Sequence, residues 1–347
     1  KGFFYMAAYL IVFVVVCSVI RDRAGAARVV KALVLGALVV AIAALVQSRT
    51  RYNVFDNLAN WIPGLDYYSL YEDSLRRGAV RVRASAQHPI ALGTALMLVV
   101  PLGIYLASRA STVLRANLWR VTAGIVLLGA VAPVARTVVA MAIVMGVIAL
   151  VLIGKRVLRY WPVLVVALAL LHVASPGVIG AMYKSFFPEG GIVAQAAGRA
   201  GLPGSGRLAD VDPGIALWES SPAFGIGRGN ALVGSRAPGS PTQGIIFDNQ
   251  YLYTLVELGA VGLGALLWFL AAAAWRPLRA AASRTGWQRN LLIACGMGVA
   301  SFIAAMWFFD AFAFVQVTLI FFVIAALGLK VATFDDTREP PEQSRVA

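Results

Sequence analysis

Apolar runs of about 20 residues recur along the whole chain, and they limit its possible folds more than any other feature. A helix needs about 20 residues to cross the roughly 30 Å hydrocarbon core of a bilayer. The runs are continuous and rich in Leu, Ala and Val, with none of the alternation of barrel strands, so they predict spanning helices. About nine can be counted, at roughly 3–20, 29–47, 89–107, 117–134, 137–153, 160–175, 250–274, 290–308 and 313–329.

Composition supports the same class. The 347 residues are 60% hydrophobic and 13% charged, which is too little polar material to coat a soluble globule of this size. Cys17 and Cys295 fall inside predicted spans, so we expect packed free thiols and no disulfide framework. The sequence therefore predicts an all-α integral membrane protein, a polytopic bundle of about nine helices.

The basic residues indicate an orientation. A net charge of +14 could suit a nucleic-acid partner, but the Lys and Arg residues concentrate between apolar runs, where they orient a membrane protein and contact anionic lipids. Four connectors hold four, three, three and four of them, at 21–31, 108–120, 154–160 and 275–289. The short connectors predicted on the other side of the membrane, near 135 and 310, hold only Arg136. We expect the basic connectors in the cytoplasm and no nucleic-acid partner.

This orientation divides the chain into four parts. Residues 1–175 hold six predicted spans and an external loop at about 48–88, and residues 176–249 form a large external loop. Residues 250–329 hold the last three spans, and residues 330–347 are expected to be a disordered cytoplasmic tail. Since the chain starts outside on Lys1 and not on Met, we also expect residues to precede it.

The first external loop is rich in arginine on the side that should be poor in it. Its six arginines are Arg49, Arg51, Arg76, Arg77, Arg81 and Arg83. They are either solvated loop charges or a docking surface for a polyanion, because guanidinium groups match phosphate oxygens two at a time. His88, just before Pro89, has the position of a locally hydrogen-bonded helix-end residue, with catalysis as the alternative.

The second loop contains one ordered segment. Asp212 and Pro213 predict a helix start, with the helix ending before Pro222 and Trp218 facing inward. Asp210 and Asp212 have the spacing of metal-dependent sugar-nucleotide transferases, but Asp212 already has a capping role and nucleotide sugars are cytoplasmic. We therefore expect no metal and no other cofactor.

Three ionisable residues at or near the starts of two spans could carry chemistry. Arg136 either snorkels at a helix end or is functional. Asp248, with Asn249, either caps the seventh span or acts as a general base. Glu257 lies two turns inside that span, so it should be paired or functional, with Arg136 or Tyr253 as partner.

These segments resemble the O-antigen ligase and polysaccharide polymerase family of bacterial membrane glycosyltransferases, best from about 120 to 270. The junction carries the resemblance through Asp248-Asn249, Tyr251-Leu252 and Glu257-x-Gly259. Further similarity comes from Arg207, the Trp218 helix, Pro222 and the Gly-x-Gly turn of Phe224-Gly225-Ile226-Gly227-Arg228-Gly229-Asn230, and from Arg83 followed by Pro89. Ala135 replaces a family Ser before Arg136, and Ser85 or Ala86 stands where the family usually has Gly. Asp248 stands where family ligases commonly have His.

The resemblance implies a GT-C-like bundle that moves a glycan from an undecaprenyl-diphosphate carrier to a glycan or glycolipid acceptor, at the outer face of the bacterial cytoplasmic membrane. It implies Asp248 as the base of an inverting displacement, with Arg136 and Arg207 stabilising the departing diphosphate in place of a metal. The implied substrate-binding residues are Arg83, His88, Trp218, Arg228, Asn249, Tyr251 and Glu257.

Three alternatives stay open at this point. Asp in place of His favours repeat-unit polymerisation, with terminal ligation as the alternative within the family. A transporter or flippase of an anionic lipid-linked glycan would use the same arginines without breaking a bond. A structural scaffold in the membrane would use none of them.

Overall fold

The computed structural model describes residues 2–64, 75–76, 79–155, 169, 179–180, 183, 211–230 and 247–334. Nine helices are defined within these residues: α1 (Gly2–Val19), α2 (Arg23–Thr50), α3 (Pro89–Ser108), α4 (Val113–Val131), α5 (Arg136–Ile153), α6 (Val211–Glu219), α7 (Gln250–Ser283), α8 (Gly286–Ala305) and α9 (Val315–Ala332). The described part also contains a two-residue antiparallel pair, β1 (Leu75–Arg76) with β2 (Ala79–Val80), and single 3-10 turns at Leu58–Asn60 and Ala311–Ala313.

The predicted class, a polytopic helical membrane protein, is confirmed. Seven of these helices, α2 to α5 and α7 to α9, are long and apolar enough to cross a bilayer, and α1 is a shorter apolar helix at the first predicted run. The predicted sixth span, 160–175, lies outside the described residues apart from position 169, and so does the tail after residue 334.

Polar residues in the connectors begin the helices. The Asp22 side chain accepts a hydrogen bond from the Gly25 amide (2.7 Å), and Thr112 does the same for Arg115 (3.3 Å). Such caps satisfy amide groups that have no partner within the helix. The turns between spans are therefore fixed by local chemistry, and they set where each apolar run enters the membrane.

α3 is the central helix of the bundle. It is buried along almost its whole length and packs against α2, α4, α5, α8 and α9. Small residues allow this packing: a Cβ at Gly93 would lie 2.7 Å from a Val138 methyl group and 2.9 Å from the Ala130 carbonyl oxygen. Close backbone approach at small residues is a common way for helices to associate in lipid.

α7 is two helices joined at a break. Its 34 residues would extend about 50 Å if straight, well beyond the bilayer core. Gly259 has non-helical angles (φ 67°, ψ −169°), so a short helix from Gln250 precedes a longer one that continues to Ser283. The predicted end of this span at 274 was nine residues too early, because the basic residues after Trp275 lie on the same continuous helix.

Because successive spanning helices run in opposite directions, their connectors lie alternately at the two ends of the bundle. We call the end with the connectors at 20–22, 109–112, 154–155 and 284–285 the basic end. The opposite end, with 51–64, 81–88, 132–135, 211–230, 247–249 and 306–314, is called the loop end. The residues that the sequence singled out for chemistry and that the structure describes all lie at or near the loop end.

Candidate active site

A backbone junction at the loop end joins the segment 222–230 to the break in α7. The break removes the helical hydrogen bonds that the amides of Ala260 and Val261 would make to the carbonyls of Val256 and Glu257. All four groups instead bond to the segment: Ala260 N to Pro222 O (2.9 Å), Val261 N to Ala223 O (3.1 Å), Ile226 N to Val256 O (3.0 Å) and Gly227 N to Glu257 O (3.0 Å). The segment thus satisfies the polar groups that the break exposes, as a membrane environment requires.

Two glycines make this junction possible. Both Gly225 (φ 70°) and Gly259 (φ 67°) have backbone angles that other residues rarely adopt. A Cβ at Gly225 would lie 2.4 Å from the Glu257 carbonyl carbon, and one at Gly259 would lie 2.3 Å from the Ala223 oxygen. The Gly-x-Gly turn and the Glu-x-Gly motif are therefore the two halves of one contact.

A buried ion pair lies beside the junction. The Glu257 side chain is fully buried, and its Oε2 lies 3.2 Å from Nη1 of Arg228, whose side chain is 23% exposed. Oε1 accepts a hydrogen bond from the Gly229 amide (2.6 Å). The sequence predicted a partner for Glu257 but suggested Arg136 or Tyr253; the ion pair is made with Arg228, and Tyr253 faces the same carboxylate.

Asn249, and not Asp248, caps α7. The Asn249 side chain accepts hydrogen bonds from the amides of Tyr251 (2.9 Å) and Leu252 (3.3 Å). Asp248 is exposed one position earlier. The capping explanation that competed with a catalytic one for Asp248 therefore applies to its neighbour.

Gln250 and Tyr251 hold the connector between α8 and α9 against the start of α7. The Gln250 amide donates to the Met306 carbonyl (3.0 Å), and its Oε1 accepts from the Phe312 amide (2.8 Å). The Tyr251 hydroxyl donates to the Ile303 carbonyl (2.6 Å). These bonds fix the connector 306–314 next to Asp248.

Asp310, in that connector, is a site residue that the sequence analysis missed. Burial, and then the negative charge of Asp248, raise its pKa to about 7, while its own backbone and Arg228 act in the opposite direction. Asp310 therefore shares an electrostatic environment with both residues. A lone carboxylate between aromatic residues in a tight turn joining two spans was the available signal.

Trp218, on α6, packs against the start of α7 and the segment 222–230. α6 begins at Val211, so Asp212 lies in its first turn and is not the N-cap that the sequence suggested. Trp218 packs near Phe247, Leu252 and Val256, and its indole N–H donates to the Pro222 carbonyl (2.9 Å). The inward direction predicted for Trp218 agrees with this packing.

Arg83 is buried and forms an ion pair with Asp56. Its loop is held by Gln47, whose Oε1 accepts hydrogen bonds from the amides of Arg83 (3.1 Å) and Ala84 (2.8 Å). Ala84 has a positive φ of 44°, an uncommon angle for a residue with a side chain. The ion pair and the fixed backbone give Arg83 a structural explanation, and its predicted role in substrate binding stays a prediction.

His88 caps α3 through Nδ1, which accepts a hydrogen bond from the Ile90 amide (3.1 Å). Its ring lies 5.6 Å from that of Phe314, and Nη2 of Arg81 lies 3.3 Å from its Nε2. The Arg81–His88 segment therefore meets the end of the connector that carries Asp310. The local helix-end explanation of His88 agrees with this geometry.

Arg136 is the first residue of α5, on the side of the bundle where α3 begins. The turn before it contains Val134 at φ 57°, a rare angle for a β-branched residue. Ala135 and Val138 pack at Gly93, one turn into α3 from His88. Arg207 lies outside the described residues, so its position relative to this site stays a prediction.

Side chains that could bind a metal ion are the last feature of the candidate site. Among the residues that the structure describes, no three His, Cys, Asp or Glu side chains are grouped closely enough to hold a metal ion. The charged groups brought together at the loop end are two aspartates, the Arg228–Glu257 pair and, nearby, the Arg81–His88 segment.

One family model matches the part of the chain that carries most of these motifs. Residues 121–269 match the family model described as O-antigen ligase. The match includes α5, α6, the break in α7 and Asp248, and it confirms the resemblance that the sequence indicated from about 120 to 270. Arg83 and Asp310 lie outside the matched segment. No curated protein matches the chain.

Proposed function

We propose that this chain, whose residues 121–269 match the O-antigen ligase family model, transfers a glycan from an undecaprenyl-diphosphate carrier to a sugar hydroxyl of an acceptor glycan or glycolipid. The observation that carries the proposal is the grouping of Asp248, Asp310 and Arg228 around the broken start of α7. A grouping of two carboxylates and a cation can move a proton and bind an anion at one place.

The reaction is a single displacement at the anomeric carbon of the donor glycan. The acceptor hydroxyl oxygen forms the new glycosidic bond while its proton passes to Asp248. The bond from the anomeric carbon to the diphosphate oxygen breaks, and the lipid diphosphate leaves with the electron pair. Attack opposite to the leaving group inverts the anomeric configuration.

Asp310 is suited to accept a proton near neutral pH. A general base works best when its pKa is close to the working pH, and the pKa of Asp310 is raised to about 7. In this proposal Asp248, which is exposed, contacts the acceptor, and Asp310 takes the proton onward. The pair would then return the proton to solvent after the product leaves.

Arginine side chains stabilise the departing diphosphate. Arg136 and Arg207 are the proposed catalytic cations, with Arg83 and His88 in binding roles, because fixed positive charges favour the transition state in which phosphate charge develops. Arg228 is held by buried Glu257 yet reaches the surface of the site. Asn249, Tyr251 and Trp218 act by holding the start of α7 and the segment 222–230 in place.

The reaction is assigned to the outer face of the cytoplasmic membrane. The loop end has few cations in its short connectors, whereas the basic end has the distribution typical of cytoplasmic connectors. Repeat-unit polymerisation is favoured over terminal ligation because Asp248 occupies the position of the ligase histidine. Product size separates the two: deletion of a polymerase removes a ladder of chain lengths, and deletion of a ligase removes one attachment.

Complementation in cells tests the proposal. Asp248→Asn and Asp310→Asn should each reduce polymer or ligated product by about 100-fold or more, the usual scale of acid–base catalysis, while the protein stays in the membrane. Asp212→Asn, which removes another exposed carboxylate from the loop end, is the matched control and should keep normal product. Normal product from Asp248→Asn would remove this residue from the reaction.

A further inference from the structure

A cavity of about 840 Å³ lies at the basic end of the bundle, between α1, the last turns of α7 and the end of α9. Its lining is amphipathic. Phe13, Cys17 and Leu329 supply apolar surface, and Arg276, Arg279 and Lys330 supply positive charge. Among the residues that the structure describes, no Asp or Glu lines it. The cavity is separated from the proposed active site by the stretch of α7 from Gly259 to Arg276, about 25 Å along the helix.

The three cations converge on this cavity from two helices. Arg276 and Arg279 are three residues apart and so share a face of α7, while Lys330 lies in the last turn of α9. None of the three forms an ion pair with a carboxylate among the residues that the structure describes. Three like charges around one cavity repel each other, so an anion bound there would lower the electrostatic energy.

The apolar part of the cavity distinguishes a lipid from a free anion. Phe13, which lines the cavity, lies 6.0 Å from the Phe269 ring and 6.3 Å from the Phe322 ring, so it connects the cavity to an aromatic cluster of α1, α7 and α9. Exposed apolar residues of α1 next to it, such as Val14, face the lipid phase. A free phosphate would use the cations alone, whereas a phospholipid would use the cations and the apolar surface together.

Other cations at the basic end have a different environment. Arg115 donates to the Ser111 hydroxyl (3.2 Å), and Arg120 donates to the Asn117 side chain (2.7 Å). Both lie on the exposed surface of α4, and Lys155 is exposed after α5, as Arg276 and Arg279 are on α7. The three cations of the cavity therefore differ from these others in lining an amphipathic cavity, and not in their exposure.

We propose that this cavity binds an anionic phospholipid, with its phosphodiester headgroup between Arg276, Arg279 and Lys330 and an acyl chain against Phe13. Basic pockets between spanning helices are a known mode of headgroup recognition. The site belongs to the inner leaflet if the basic end is cytoplasmic. It is independent of the transfer reaction, because it uses none of the residues at the loop end.

Binding to the purified full chain in detergent tests the proposal. The probes are dioctanoyl phosphatidylglycerol, the zwitterionic dioctanoyl phosphatidylcholine and inorganic phosphate, with bound lipid counted by native mass spectrometry. Phosphatidylglycerol should bind, and replacing all three cations (Arg276→Gln, Arg279→Gln and Lys330→Gln) should weaken its binding by about 100-fold, from about fivefold per charge. The matched control removes three other basic-end cations, by Arg115→Gln, Arg120→Gln and Lys155→Gln, and should leave binding within about twofold.

A conservative variant separates charge from folding. Arg276→Lys with Arg279→Lys keeps the positive charge and should keep most of the binding. Equal binding of phosphatidylcholine, an equal loss in the control variant, or displacement of the lipid by inorganic phosphate at the same concentration would each overturn the proposal. None of these outcomes affects the proposed transfer reaction, which is measured with the variants of Asp248 and Asp310.

Discussion

Gly259→Ala tests the junction between α7 and the segment 222–230. The added Cβ would lie 2.3 Å from the Ala223 carbonyl oxygen and 2.4 Å from the Ala223 carbonyl carbon, both backbone atoms that no rotamer change can move. The backbone at φ 67°, ψ −169° is also a conformation essentially reserved for glycine. The segment must therefore move away, or α7 must change its path.

The cost can be worked out from these contacts. A residue with a side chain in such a conformation costs about 1–3 kcal/mol. Moving the segment also breaks the four backbone bonds of the junction, at about 1 kcal/mol each. The sum of about 5–7 kcal/mol is enough to detach the segment while leaving the packed bundle around α3 intact. Because Arg228 is carried by that segment, the active site should be lost with it.

Two measurements check this prediction. Hydrogen exchange of the purified protein should show faster exchange at the Ile226 and Gly227 amides, and complementation should show at least a 100-fold loss of product, which corresponds to about 3 kcal/mol. Gly264→Ala is the matched control, since it lies on the same helix with nothing within 4 Å of its added Cβ. Wild-type exchange and product in Gly259→Ala would refute the junction.

Three further predictions follow from the site. Arg228→Gln should lower the free energy of unfolding in detergent by about 3–5 kcal/mol, because it leaves the buried Glu257 carboxylate without its cation. Adding Glu257→Gln should recover part of the lost stability. Equal stability of Arg228→Gln and wild type would contradict the ion pair. Because the pKa of Asp310 is raised to about 7, the folded protein binds more protons than the unfolded chain between about pH 4 and 7, and this residue's contribution to stability falls as pH rises through that range. Activity should rise over the same range as Asp310 loses its proton. Asp310→Asn should flatten the stability and activity profiles, and unchanged profiles would contradict the assignment. Because arginines replace a divalent cation in the proposal, transfer should persist in EDTA, and a complete loss that Mg²⁺ or Mn²⁺ restores would favour the rejected Asp210–Asp212 pair.

Much of the fold could be predicted because hydropathy and length decide it. Eight of the predicted runs correspond to helices with ends within a few residues, apart from the longer α7. That helix was underestimated because Arg276 and Arg279 resemble a connector in sequence, although their long side chains can remain on a helix that leaves the membrane.

The candidate site could be predicted only in part. Asp248 and Glu257 were visible because a charged residue in or beside an apolar run demands an explanation. The pairing of Glu257 with Arg228 could not be predicted, since it depends on a break at Gly259 that brings residues 29 positions apart into contact. Asp310 was missed because its environment is produced by burial and by Asp248, which is 62 positions away in sequence.

The most direct test is covalent transfer by the purified chain. A labelled glycan on undecaprenyl diphosphate and an unlabelled acceptor glycan are incubated with the protein in detergent, and labelled acceptor is separated from labelled lipid. The account predicts labelled acceptor with the wild type and with Asp212→Asn, and none above background with Asp248→Asn. Transfer by Asp248→Asn at the wild-type rate would contradict it. So would a result in which the protein, reconstituted in vesicles, moves the labelled lipid across the membrane and forms no joined product.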